Sequence, residues 1–247
     1  MSNTLTWGFY WNESNNTIDN SIFFTHINYH RLSIKKAIDL GYECHLYIQE
    51  HNKEYFLDIS VKIHLVNSID TTLFDWIKHH ILCNKIDTGI LIDGDVILNS
   101  RLPNIDADII FERYETNAWK SIYGTYVDKL TSLNIQDIIP EWSGRYRSLI
   151  MNIGLFKINN EEFKSLYLNK WNRMNQFIKD SNIINKTEFT ATATQYLLTE
   201  LTGYYNMDIK NYYENSQSDY IHYLGNKKFK NKLVPNNKLL LFKQSII

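Results

Sequence analysis

The chain has 247 residues, 44% of them hydrophobic, and a formal net charge of −1. This supports a substantial core in one large α/β domain or two small ones, and it excludes a general electrostatic pull toward nucleic acid or anionic membrane. Only two cysteines occur, Cys44 and Cys83, in no paired motif, which excludes a disulfide framework or structural zinc site and suits a reducing compartment.

Taken in order, residues 4–10, "TLTWGFY", read as a first strand that runs into the aromatic cluster Trp7, Phe9, Tyr10 and Trp11. Residues 21–40 space Ile22, Phe23, Ile27, Ile34 and Ile38 near the helical period, with Gly41 placed to end the helix. Short strands follow at 43–48 and 61–66, a helix at 71–82 and a strand at 88–93. This alternation predicts parallel strands with helices on both faces of a Rossmann-like sheet, which binds ligands beyond the carboxyl ends of its strands. Further strands are expected at 107–114 and 149–158, and helices at 160–180 and 189–202. Residues 115–148 are polar and aromatic with little periodicity and read as a long functional loop with short helices. No repeat or linker interrupts the chain, so 1–247 reads as one domain. Its start lacks a signal-like apolar run and its closing "KLLLFKQSII" is too short to span a bilayer, so a cytoplasmic protein without a membrane span is expected.

The stretch "GILIDGDVILNS" at 89–100 interrupts an apolar run with Asp93 and Asp95. Unpaired carboxylates are costly to bury, so the pair is either a solvated turn between two strands or an oxygen-ligand site for Mg²⁺ or Mn²⁺. Its place at the carboxyl end of a strand, where the crevice of the sheet should lie, favours the ion. A second stretch, "IHYLGNKKF" at 221–229, offers an imidazole in His222, a close backbone approach at Gly225 and a cation for diphosphate in Lys228. The bland alternative is a structural histidine followed by a solvated lysine cluster.

In this order, "GILIDGDVILNSRLP", "MNIGLFKIN" and "HYLGNKKF" resemble the motif set of metal-dependent GT-A glycosyltransferases, above all the glycogenin-like family and related bacterial galactosyltransferases. The resemblance implies a single GT-A (Rossmann-like) α/β domain with a mixed, mostly parallel central sheet flanked by helices. Its nucleotide-sugar part would cover about residues 1–100 and its acceptor side about 101–247. Asp93, Asp95 and His222 would ligate the metal, Asp93 also touching the donor ribose, and Lys228 would bind the diphosphate with Gly225 beside it. Asn152 and Gly154 would line the sugar and acceptor pocket, and Gln195 would sit near the reacting face of the sugar. The implied activity is transfer from a nucleotide diphosphate sugar, a UDP-sugar by preference, to a glycan, protein, small molecule or modified nucleic-acid base. Two departures stand out: Phe229 and Lys230 replace the Pro-Trp of the family, and Thr194 replaces the acid beside Gln195, with Glu188 as a nearby carboxylate.

Tyr10 is the candidate for stacking on the nucleotide base, against a core role. Glu112, Trp119, Trp142, Arg145 and Arg147 are candidates to shape the sugar or acceptor pocket, or else anchor a loop. Three rivals remain. A phosphohydrolase of the haloacid-dehalogenase type would use Asp93 as nucleophile and Asp95 as general acid, although no second acidic motif follows. A nucleotidyltransferase lacks its glycine-rich basic loop near the N-terminus. A silent carbohydrate- or nucleic-acid-binding module would draw on the aromatic residues and the basic end.

Overall fold

The structure is a computed structural model that describes residues 3–9, 20–67, 76–83, 89–116, 122–144, 149–183, 186–216 and 219–222. Its centre is a mixed seven-stranded sheet of order β3-β2-β1-β4-β7-β6-β8. The strands are β1 (Thr4–Phe9), β2 (Glu43–Ile48), β3 (Lys62–Leu65), β4 (Ile90–Ile92), β6 (Ile109–Thr116), β7 (Leu149–Ile158) and β8 (Ile209–Asn211). The β1–β2, β2–β3, β1–β4 and β6–β8 pairs are parallel, whereas β7 runs antiparallel to both β4 and β6. The expected parallel order therefore holds for the first half of the chain, and β7 makes the sheet mixed. A separate two-stranded ribbon pairs β5 (Val96–Leu98) with β9 (Tyr220–His222).

Successive strand residues face opposite sides, and the packing follows that rule. Leu91 and Phe156 join one core, with helices α2 (Trp76–Cys83), α3 (Ile122–Ser132), α4 (Glu161–Asp180) and α5 (Lys186–Tyr204) supplying Ile81, Leu130, Trp171 and Leu197. Ile90, Ile92 and Leu155 join the other, where helix α1 (Asn20–Asp39) supplies Ile27 and Ile34. The short α6 (Tyr212–Ser216) adds Tyr212 to the second core. No helix among the described residues is long and apolar enough to cross a membrane.

Local chemistry accounts for several boundaries. Helix α1 ends where Gly41 takes φ +79°, its N–H bonding the Ile38 carbonyl while that of Tyr42 reaches Ala37, the two bonds of a Schellman cap. Asn160 caps α4 by accepting the Phe163 N–H at 3.0 Å, and Glu161 and Glu162 complement the helix dipole. Residues 115–148 were expected to be a long loop with short helices. Among the described residues β6 extends to Thr116 and α3 occupies eleven residues, held by buried Val127 and Leu130 despite a sequence of modest helix propensity.

His79 illustrates what this packing costs. Its ring stacks on Trp171 at 3.5 Å, and burial pulls its pKa from the ordinary 6.5 down to about 4. The unfolded chain thus binds a proton between those values that the native state refuses, and stability falls as pH drops from about 6.5 to about 4. The loss is about 3 kcal/mol at its fullest. Denaturant unfolding at pH 7, 5.5 and 4 is expected to show this slope, and His79→Phe, which keeps the stacked ring, is expected to flatten it.

Candidate metal centre

The centre is assembled at the carboxyl edge of β4. The Asp93 N–H bonds the Gly154 carbonyl at 2.8 Å, and Val96 N–H closes a turn onto the Asp93 carbonyl at 3.0 Å. Helix α1 supports this turn from below. Ser33 Oγ accepts from Trp7 Nε1 at 3.0 Å and donates to the Val96 carbonyl at 2.6 Å, and the His30 ring lies where a side chain at Gly94 would have to go. The Asp-Gly-Asp turn is therefore a joint between β4 and β5, and it is fixed by the first helix. Burial holds His30 below its ordinary pKa, against the opposing pull of the His26 and Gly8 carbonyls and the Asp95 and Asp93 charges.

The β5–β9 ribbon brings Tyr220–His222 to the acidic pair. Val96 faces His222, and Asn99 N–H bonds the Asp219 carbonyl at 2.6 Å. Asp93, Asp95 and His222 each present a ligand atom, all within 4.8 Å of one another. Ligand oxygens about 2.1 Å from a Mg²⁺-type ion lie roughly 3–4 Å apart, so the trio closes on such an ion by adjustments of about 1 Å or less. His222 Nε2 is 3.4 Å from Asp95 Oδ1, and Nδ1 is 2.6 Å from Glu112 Oε2. Burial depresses the His222 pKa, but the hydrogen bonds and charges of Asp95 and Glu112 outweigh it and hold the imidazolium up at about 9. A divalent ion would take the place of the Nε2 proton, and the residues then fit it: two carboxylates and an imidazole whose far nitrogen is already engaged.

The Asn-x-Gly stretch of β7 explains why these groups meet. Phe111 faces Phe156 and Arg113 faces Asn152, so Glu112 alone stands opposite Ile153, Gly154 and Leu155. This irregularity frees backbone groups from the ladder, and three of them find partners at the site. Gly154 N–H goes to Asn152 Oδ1 at 2.8 Å, the Ile153 carbonyl accepts Lys78 Nζ at 3.1 Å, and the Gly154 carbonyl takes Asp93. Asn152 Nδ2 also donates to Glu115 Oε1 at 2.5 Å. Both ends of the Asn152 amide are spent within the chain, so in this arrangement it braces the bulge.

Lys78 was not singled out by the sequence. Its ammonium, on α2, sits 2.7 Å from Asp93 Oδ1 with 16% of the side chain exposed. It is a lone cation on a helix whose Ile77, Ile81 and Leu82 are buried, and that contrast was its only signal. Removing it leaves a divalent ion with less repulsion, so Lys78→Met is expected to tighten Mn²⁺ binding by about tenfold. Titration followed by electron paramagnetic resonance (EPR) of free Mn²⁺ reads this, and unchanged or weaker binding would contradict it.

The other expected site residues divide. Gln195 lies midway along α5, with no side-chain hydrogen bond or ion pair to the acidic cluster among the described residues, and its Oε1 is buried without a hydrogen-bond partner. Thr194 is buried between α4 and α5, accepting from Trp171 Nε1 at 3.2 Å and donating to the Thr190 carbonyl at 2.8 Å. It is a packing residue. Trp142 is 1% exposed and belongs to the core. Glu188 falls in the first turn of α5. Tyr10, Gly225, Lys228, Trp119, Arg145 and Arg147 lie outside the described residues.

The class defined so far is a mixed α/β sheet with an acidic pair and a distant histidine gathered at its carboxyl edge. No family model matches the chain, and a search of curated proteins finds no significant match.

Proposed function

We propose that the protein is a metal-dependent glycosyltransferase that moves a sugar from a nucleotide diphosphate sugar, a UDP-sugar by preference, to an acceptor whose class is unassigned. The observation that carries this reading is the convergence of Asp93 and Asp95, at the end of one strand, with His222 from a strand that follows more than a hundred residues later. The ordered resemblance to GT-A glycosyltransferases supports it.

Bound there, Mn²⁺ or Mg²⁺ would supply electrostatic stabilisation of a leaving diphosphate. The chain's own residues have defined tasks. Asp93 and Asp95 would hold the cation, and His222 would complete the protein ligand set. As the bond from the anomeric carbon to the phosphate oxygen breaks, its electrons pass to the diphosphate, while the acceptor oxygen forms the new bond and gives up its proton to the departing diphosphate. Lys78, beside Asp93, offers a second positive charge for that developing anion. By the resemblance, Gln195 would accept from a sugar hydroxyl.

A thermal-shift panel of UDP-, GDP- and CMP-sugars with and without Mn²⁺ tests the reading. One donor class at about 100 times its Kd should add about 2.7 kcal/mol of apparent stability, raising Tm by roughly 5–10 °C only when metal is present. No shift with any nucleotide in any metal condition would refute it.

The Lys78–Asp93 ion pair gives the phosphohydrolase a specific argument, because a nucleophilic aspartate gains from a neighbouring cation. Hydrolysis of a generic aryl phosphate that is lost in Asp93→Asn would favour it.

A further inference from the structure

The side chain of Glu112 has no solvent exposure. Burying such a group is costly unless opposite charge and hydrogen bonds compensate it. Both are present. Its Oε2 accepts from His222 Nδ1 at 2.6 Å, while its Oε1 has the Arg113 guanidinium 3.0 Å away as a countercharge but no hydrogen bond. It reaches the imidazole through a gap left by Gly154: a Cβ at that position would fall against Glu112 Oε2 and within 2.6 Å of His222 Cε1. The irregular pairing of β6 with β7, the missing side chain and the buried acid therefore serve one contact.

We infer that Glu112 is the positioning carboxylate of the metal centre, accepting the Nδ1–H of His222 so that Nε2 is the nitrogen turned toward Asp95 and the cation. The inference rests on the reading of Asp93, Asp95 and His222 as cation ligands. A neutral imidazole has one N–H and one lone pair, and a hydrogen bond at one nitrogen decides which is which. With Nδ1–H held by a carboxylate, Nε2 presents its lone pair in a fixed direction and with raised basicity. Without that acceptor the ring can turn or adopt the other tautomer, and the third ligand is lost for part of the time. Glu112 acts through His222 and touches neither cation nor substrate.

The test uses the full chain and Mn²⁺ alone, with free ion measured by EPR. Glu112→Gln is expected to weaken Mn²⁺ binding by about 10- to 100-fold at an unchanged far-UV circular dichroism spectrum. His222→Ala should weaken it at least as much. Glu43→Gln, which breaks a similar carboxylate–imidazole pair of 2.9 Å with His45, serves as the control and should leave binding unaltered. Wild-type affinity retained in Glu112→Gln, with binding lost in His222→Ala, would overturn the inference and leave the metal centre standing. A wild-type protein that binds no Mn²⁺ would overturn the metal centre itself and this inference with it. Should Glu112→Gln not fold, the tautomer of His222 in the ¹⁵N-histidine-labelled, Mg²⁺-loaded wild type decides: Nδ1–H is expected, and Nε2–H would overturn the inference.

Discussion

Asp95→Asn is expected to weaken Mn²⁺ binding by at least about 100-fold, more than the loss typical of a group that only orients a ligand. The substitution is nearly isosteric, and Asp95 sits in a turn with 17% of its side chain exposed, so the fold should persist. What changes is charge. One of the two carboxylates that face the cation becomes a neutral amide, and His222 Nε2 loses its anionic neighbour at 3.4 Å. On the proposed function, metal-dependent binding of the nucleotide sugar disappears with the metal, and turnover falls by roughly 10²–10³-fold or more. Calorimetric titration with Mn²⁺, alone and then with the nucleotide sugar, separates the two losses. A variant that binds Mn²⁺ like the wild type would remove Asp95 from the ligand set.

Gly154→Ala is expected to damage stability and metal binding together. Gly154 does not adopt a left-handed backbone, so an alanine meets no dihedral penalty; the obstacle is space. The added methyl would lie against Glu112 Oε2, 2.6 Å from His222 Cε1 and 2.9 Å from Nδ1. Neither neighbour can move freely, since the acid is buried and the histidine lies in the β5–β9 ribbon. Overpacking of this kind costs about 1–3 kcal/mol, or a fall in Tm of roughly 2–12 °C. By displacing the imidazole it should also weaken Mn²⁺ binding by about tenfold or more. Differential scanning calorimetry and the Mn²⁺ titration read the two effects, and a variant wild-type in both would contradict the geometry described for this bulge.

The contrast with Gly89 shows how two glycines in one neighbourhood serve different needs. Gly89 takes φ +62° at the entry to β4, and a side chain there would strike the Thr4 carbonyl oxygen. Its role is backbone conformation; that of Gly154 is clearance for a contact between two other residues.

Much of the fold is legible in the chain because many elements carry their own signal. Helix α1 announces both its apolar spacing and its glycine stop, and β2 matches its expected span, Glu43–Ile48. The strands β5, β8 and β9, three residues each, cannot show a period and exist through their partners: Tyr220–His222 is a strand because Val96–Leu98 lies beside it. The same distinction governs the site. Asp93 and Asp95 are visible because two charges end an apolar run. Glu112 stands in "IIFERYET" among other polar residues, and its importance comes from an irregularity on the neighbouring strand and a missing side chain there. Lys78 is likewise defined by the Ile153 carbonyl and Asp93, both supplied by other parts of the chain. Asn152 shows the converse case. Its amide engages the Gly154 N–H and Glu115 within the bulge, contacts that the Asn-x-Gly motif alone does not show.

The most direct test of the account is an anomalous difference map from crystals of the wild-type chain soaked in MnCl₂, collected above the manganese edge. A single strong peak within about 2.3 Å of carboxylate oxygens of Asp93 and Asp95 and of His222 Nε2 is the predicted result. A map with no peak there, or a peak bound through other side chains while Lys78 stays locked on Asp93, would contradict it.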